Sequence, residues 1–173
     1  MLHEVVERGS PALRAEVLEL CNVAYGEDLT DLFRSLDAGV HVLVRDDGRL
    51  VSHAMWVTRW LQVDGDPLLR TAYVEAVATD PKYRNLGLAS RVMRRLVAEI
   101  PPEFDLAALS PATIPLYERL GWRAWVGPLC VRMRDGSVVE TPEEVVMVYE
   151  LEGRTRVDVR RPLSIEWRPG EVW

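Results

Sequence analysis

Residues 2–8 alternate apolar and polar side chains with the period of a strand. Ser10-Pro11 then offers a helix N-cap followed by proline at the first helical position. Leu13, Val17, Leu20, Cys21 and Ala24 repeat at helical spacing and predict one buried face, with Glu16 and Glu19 off it and Gly26 as the stop. Thr30 is expected to cap a second, short helix through Leu36 that closes at Gly39, turning Leu29 or Leu32, Phe33 and Leu36 inward. Residues 40–45 and 50–63 read as strands joined through Asp46-Asp47-Gly48-Arg49, a hairpin signal. Asp64-Gly65-Asp66-Pro67 turns the chain again into a strand over 68–79, so the middle of the chain is an antiparallel meander. Trp56 and Trp60, four residues apart, fall on one face of their strand.

Asp80-Pro81 breaks the meander, and Leu88, Val92, Leu96 and Ile100 then recur every four residues along a helix that ends near Pro101-Pro102. A strand over 104–109 follows. A strand–helix–strand crossover of this length places it parallel to the strand before the helix. Residues 112–120 predict a short helix ended by Gly121, with further strands at 122–126, 131–133 and 145–151. Beyond Gly153 the periodicity is weak, yet Trp167 and Trp173 are too apolar for a free tail, so a docked C-terminal segment is expected. Length predicts a single domain over residues 1–173, with no internal repeat.

Charge narrows the function classes. The net charge is −6 and Lys82 is the only lysine, a poor basis for neutralising nucleic-acid phosphates but a good one for concentrating cationic ligands. Asp135, Glu140, Glu143, Glu144, Glu150 and Glu152 form an acidic stretch free of Lys and Arg, and Glu27, Asp28 and Asp31 form another. Solvated loops, or for the second run a stabilised helix N-terminus, explain these equally well. No apolar run is long enough to span a bilayer and no charged-then-apolar leader opens the sequence, so a cytoplasmic protein without membrane partners is expected. Cys21 and Cys130 read as buried free thiols, and His41 and His53 as satisfied sheet residues without a third metal ligand.

The candidate chemistry centres on the stretch from Tyr73 to Ile100. Between its strand and its helix lies Arg84-Asn85-Leu86-Gly87-Leu88-Ala89, where glycine lets backbone approach a ligand and the helix start offers unpaired N–H groups. Such a turn suits a pyrophosphate.

Arg84-x-x-Gly87-x-Ala89, with the Pro81-x-Tyr83-Arg84 approach and Leu116-Tyr117-x-x-x-Gly121-Trp122, resembles the acetyl-coenzyme A motif and late helix of the GNAT acetyltransferase superfamily. Tyr73-Val74-Glu75-x-Val77-Ala78, Leu109-Ser110 and Trp167-Arg168-x-Gly170-x-Val172-Trp173 resemble the aminoglycoside 2'-N-acetyltransferases in particular, with a shortened connection between Ser110 and Tyr117. The resemblance implies an α+β fold: a mixed, mostly antiparallel sheet flanked by helices and splayed at the coenzyme site. It also implies acetyl-coenzyme A as co-substrate, no metal, and a polycationic amine as acceptor. In it, Val77, Ala78 and Thr79 bind the pantetheine in strand fashion, with the Val77 N–H near the thioester oxygen, and residues 84–89 hold the pyrophosphate, Arg84 adding charge.

Glu75 is implied as base through water or as ammonium ligand, with a structural ion pair as the bland alternative; two residues before Val77, it is expected on the same strand face. Tyr117 is implied as proton donor to the departing thiolate, with packing as the bland alternative. Substrate contacts are implied at Asp28, Glu75 with the Ala76 backbone, Ser110, Glu144, Glu171 and the carboxylate of Trp173, while Asp31 is the weaker acid near Asp28. Glu144 and Glu171 stand where that family has aspartates. The coenzyme motif equally permits another polyamine, a small amine or a protein N-terminus. A non-catalytic binder of coenzyme A or cationic drugs would keep the loop and acids but need neither Glu75 nor Tyr117. An exposed strand in the C-terminal half admits a homodimer.

Overall fold

Local start and stop signals set the first elements. In the computed structural model, which describes residues 2–173 with side chains from Val6 onward, β1 (Leu2–Arg8) leads into α1 (Pro11–Tyr25). Ser10 Oγ accepts from the Leu13 N–H at 3.2 Å, and Gly26 takes φ 75° as its N–H donates to the Asn22 carbonyl. The second helix, α2 (Thr30–Ser35), departs from expectation. Its cap position is Leu29, and the cap is supplied one residue earlier, where Asp28 Oδ1 accepts from the Thr30 N–H at 2.9 Å and its hydroxyl at 2.6 Å. The helix stops at Ser35, before Gly39, because Leu36 turns extended and is buried.

The chain divides into two compact units, Met1–Val57 with Val74–Glu99, and Thr58–Tyr73 with Ile100–Trp173. In the first, β2 (Val40–Asp46) pairs antiparallel with β1 and with β3 (Arg49–Val63), with an irregularity at Val44/Arg45. Asp47 and Gly48 have φ 46° and 86°, the two left-handed residues that a tight hairpin turn demands. Val17 and Cys21 of α1 and Phe33 of α2 pack with Leu43, Leu50 and Ala78. Burying each large apolar side chain is worth about 1.5–3 kcal/mol, so this cluster fixes both helices on the sheet. β4 (Leu69–Thr79) is followed by a 3₁₀ turn, Pro81–Tyr83, and by α3 (Leu88–Glu99), which lies against β2 and buries Leu88, Val92, Met93 and Leu96.

In the second unit, β5 (Leu106–Leu109) runs parallel to β4, pairing Thr71–Tyr73 with Leu106–Ala108 as the crossover predicts. After α4 (Ile114–Glu118) come β6 (Arg123–Ala124), β7 (Leu129–Arg132), β8 (Val138–Glu140), β9 (Met147–Tyr149) and β10 (Leu163–Glu166). β9 is antiparallel to β5 and β6. β10 is antiparallel to β3 and parallel to β7, whose other neighbour is β8. The architecture is a mixed, mostly antiparallel sheet flanked by helices. β6 and β9 are shorter than the apolar runs suggest, β7 begins two residues earlier than expected, and nothing in the sequence marks β8 or β10. Trp56 is buried whereas Trp60, on the same strand, is 42% exposed.

The C-terminal segment is docked, as its tryptophans require. Arg59, 2% exposed, donates from Nε to Glu166 Oε1 (2.7 Å), from Nη2 to the Glu166 carbonyl (2.7 Å) and from Nη1 to the Val172 carbonyl (2.9 Å). Its guanidinium lies 5.6 Å from the Tyr73 ring centroid. Trp173 is buried, with Nε1 donating to Thr141 Oγ1 at 2.9 Å, and Cys21 and Cys130 are buried free thiols.

Candidate active site

The strand that should carry the acetyl chemistry is irregular. Ala76 has φ 52°, a left-handed conformation that costs a non-glycine residue about 1–2 kcal/mol. This kink interrupts the alternation of β4, so Glu75, Ala76 and Val77 are all half-buried, and the expectation that Glu75 and Val77 share a face by simple spacing does not apply. The carbonyls that follow are held by side chains. His53 Nδ1 lies 2.7 Å from the Ala76 oxygen, the Tyr25 hydroxyl donates to the Val77 oxygen at 2.6 Å, and Ser52 Oγ donates to that of Ala78 at 3.2 Å. Ser52 Oγ also lies 2.9 Å from Thr79 Oγ1.

Beyond β4 the loop is braced from below and open above. Buried Asp80 accepts the Lys82 N–H at 2.8 Å and pairs with Arg49 at 2.5 Å, while the Tyr83 hydroxyl donates to Asp46 at 3.0 Å. Arg84, Asn85, Leu86 and Gly87 are exposed, Asn85 and Gly87 both left-handed with φ 64° and 74°. No atom lies within 4 Å of where a Cβ on Gly87 would sit. Leu88 and Ala89 begin α3, whose first-turn N–H groups have no intrahelical acceptor. Exposed N–H groups around an open glycine fit a pyrophosphate. Arg84 Nη2 donates to the Ala24 carbonyl at 2.6 Å, which ties the loop to the end of α1.

Asp28 and Asp31 are both exposed. Asp28 serves as the α2 cap, and the Thr30 bonds hold its carboxyl below the usual range; Asp31 pairs with Arg34 at 2.6 Å. The N-terminal stabilising role of these acids is therefore realised in the structure.

In the second unit, Tyr117 is buried on α4, edge-on to Trp122 at 6.2 Å between centroids, and Ser110 is exposed just after β5. Glu144, Glu171 and Trp173 come together from distant parts of the sequence. Thr141 accepts from Trp173 Nε1, and its carbonyl accepts the Glu144 N–H at 3.2 Å. Burial first, then the neighbouring charges of Glu143 and Glu171, push the Glu144 carboxyl above its usual range. Arg168 Nε donates to the Glu171 carbonyl and so fixes the segment that carries it. A cleft of about 400 Å³ runs between Trp125, Gly127, Leu129, Glu140 and Glu144.

His41 and His53 are the satisfied sheet residues expected, but sequence reasoning missed that they are linked to each other, at 2.8 Å from Nδ1 to Nε2. It also missed Tyr25 and the anchoring role of Arg59. The histidines' place in adjacent strands was legible, but their shared register with the Ala76 kink was not. Among the described residues no group of His, Cys, Asp or Glu could hold a metal ion, and no helix is long and apolar enough to cross a membrane.

Residues 11–125 match the model of an acetyltransferase (GNAT) domain family. An aminoglycoside 2'-N-acetyltransferase of Mycolicibacterium fortuitum is 33% identical over 141 residues, covering 78% of this chain and 71% of that one. The crystal structure of a GNAT family acetyltransferase from Brucella melitensis in complex with acetyl-CoA superposes with TM-score 0.61 at 13% identity, covering 93% of this chain and 94% of that one. Eis1 from Mycobacterium abscessus superposes with TM-score 0.58 at 21% identity over 68% of this chain. This chain spans only 31% of Eis1, and 33% and 34% of two further acyltransferase-like structures. With the strand–loop–helix order and the sheet in agreement, the chain belongs to the GNAT acetyltransferase family.

Proposed function

We propose that this chain transfers an acetyl group from acetyl-coenzyme A to the 2'-amine of an aminoglycoside. The observation that carries the reading is the half-buried Glu144 carboxylate, which feels the charges of Glu143 and Glu171 in a region where the Trp173 indole is tied to Thr141. Such a cluster is relieved by a ligand carrying several ammonium groups and gains charge-assisted hydrogen bonds from it. The 33% identity to the relative from Mycolicibacterium fortuitum supports the aminoglycoside, and Glu144 and Glu171, where the family resemblance implies aspartates, extend each acceptor by one methylene.

Acetyl-coenzyme A supplies the activated carbonyl as a thioester. The N–H groups of residues 85–89 take its pyrophosphate, Arg84 adds charge, and Ala78 and Thr79 continue the strand contact with the pantetheine. The Val77 N–H stabilises negative charge on the carbonyl oxygen. Glu75 accepts a proton from the substrate ammonium or holds it for a water to do so, and Asp28 and Ser110 are the further amine contacts that the family resemblance implies. As the C–N bond forms and the C–S bond breaks, the Tyr117 hydroxyl gives its proton to the thiolate, whose pKa is comparable to that of a phenol.

Thiol release from acetyl-coenzyme A, measured with aminoglycosides that do and do not bear a 2'-amine, with linear polyamines and with peptide N-termini, tests the reading. Turnover confined to 2'-amino compounds and lowered by Glu75→Gln is expected. Faster turnover of a peptide or simple polyamine would replace the substrate, and coenzyme binding without any turnover would make the chain a binding protein.

A further inference from the structure

The buried histidine pair lies outside the machinery described so far, yet it ends on the most strained residue of the site. His53 is inaccessible to solvent, and His41 is nearly so. A carbonyl can only accept, so the 2.7 Å contact with the Ala76 oxygen places a proton on His53 Nδ1. A neutral His53 then has Nε2 free to accept, so the 2.8 Å contact places a proton on His41 Nδ1. Both rings are neutral at pH 7: burial, the main cause in each, lowers His41 to about 4 and His53 to about 3. The pair is therefore a fixed, directional relay of two donors, each with one tautomer. His41 is itself confined, since a Cβ on Gly9 would fall 2.8 Å from its Nε2.

The Ala76 peptide needs such a holder. A left-handed alanine persists only where its surroundings over-determine it, and its carbonyl must find a donor or remain buried and unpaired. His53 supplies that donor, and the kink it secures sits between Glu75 and Val77. We propose that His53, oriented by His41, is a positioning residue for acetyl transfer: it clamps the Ala76 carbonyl and so aims the Glu75 carboxylate and the Val77 N–H. This inference rests on the proposed roles of Glu75 and Val77, but the clamp itself can be read without any activity.

The test compares His53→Leu, His53→Asn and the double variant His53→Leu/Ala76→Gly. Asparagine keeps a donor close to the position of Nδ1, and glycine adopts positive φ without help. NMR couplings and intraresidue contacts report φ at residue 76 directly. Positive φ in the wild type, lost in His53→Leu and retained in His53→Asn, is expected. An Ala76 that stays left-handed in His53→Leu overturns the clamp, whether or not the protein acetylates aminoglycosides. In thiol-release assays, His53→Leu is expected to lower kcat about 100-fold, the scale of an ångström-level misplacement, with coenzyme KM changed less than about threefold. The double variant should regain at least about tenfold in kcat without regaining melting temperature. A His53→Leu that loses activity only in proportion to its unfolded fraction, or a double variant as slow as the single, overturns the positioning role. If the wild type shows no turnover with any amine, the acetyltransferase reading fails while the φ measurement still decides the clamp.

Discussion

Replacing Arg59 with methionine tests how the C-terminal segment, part of the proposed amine site, is held. The substitution keeps the length of the buried stem but removes three donors, leaving the Glu166 and Val172 carbonyls and Glu166 Oε1 without the partners they now have. Breaking a buried ion pair by removing one partner costs about 3–5 kcal/mol. The Glu166 side chain is 35% exposed and has Arg132 at 3.9 Å, so its carboxylate is partly compensated and the lower end, about 3 kcal/mol, applies. For a chain of this length about 1 kcal/mol moves the melting temperature by about 2–4 °C, giving a fall of about 6–12 °C. Calorimetry measures it, and limited proteolysis shows whether residues 167–173 become the first point of attack. Arg59→Lys should fall between the two, since an ammonium cannot reach all three acceptors in one fork. A fall below about 2 °C, or a protease-resistant C-terminal segment in the methionine variant, would mean that Trp173 and Arg168 dock the segment without Arg59.

Other outcomes follow from the same geometry. Gly87→Val should abolish coenzyme A binding in calorimetry while the protein stays folded, because a branched residue disfavours φ 74° and fills the open space above the loop. Equal affinity in a folded variant would place the phosphates elsewhere. Tyr117→Phe should slow the chemical step about 100-fold with coenzyme affinity unchanged, the loss expected for one general acid; a collapse of affinity instead would make the residue a packing element against Trp122. Glu144 holds its proton more tightly in the folded protein than its ordinary value of 4.5, so its ionisation opposes folding as pH rises above that value. Glu144→Gln should accordingly raise the melting temperature at pH 7, with no gain below pH 4.5, and weaken aminoglycoside binding about tenfold or more through one lost charge-assisted bond. A stability gain of the same size at both pH values would remove the carboxylate from the explanation.

What the sequence disclosed was whatever depends on neighbours in the chain. Ser10, Gly26 and the Asp47-Gly48 turn were legible because a cap or hairpin is decided within a few residues, and the 88–100 periodicity because one helix face must meet a sheet. Thr30 did not become the cap because Asp28, two residues upstream, takes both its N–H and its hydroxyl proton, a contest that composition alone does not rank. The kink at Ala76 was hidden, since alanine carries no signal for positive φ and the donor that holds it comes from another strand. β10 escaped for a similar reason. Leu163–Glu166 becomes a strand only because β3 and β7 offer edges on both sides. The acids were visible as a charge run, but which of them converge depended on where Trp173 docks.

The interleaving of the two units has a consequence for biosynthesis. The first unit is complete in sequence once Glu99 has been made, whereas the second, begun at Thr58, waits for Trp173. At about 5–20 residues per second, residues 100–173 take about 4–15 s to emerge. Until residues 163–165 are made, Leu61–Val63 of β3 lacks the partner it pairs with in the finished fold, and an unpaired strand edge is a template for another chain. Arg59 stands beside that edge with its charge uncompensated until Glu166 arrives, and a charge at a waiting strand is what discourages another nascent chain from pairing there. The residue whose donors hold the finished C-terminal segment is thus also a charge beside the unfinished strand.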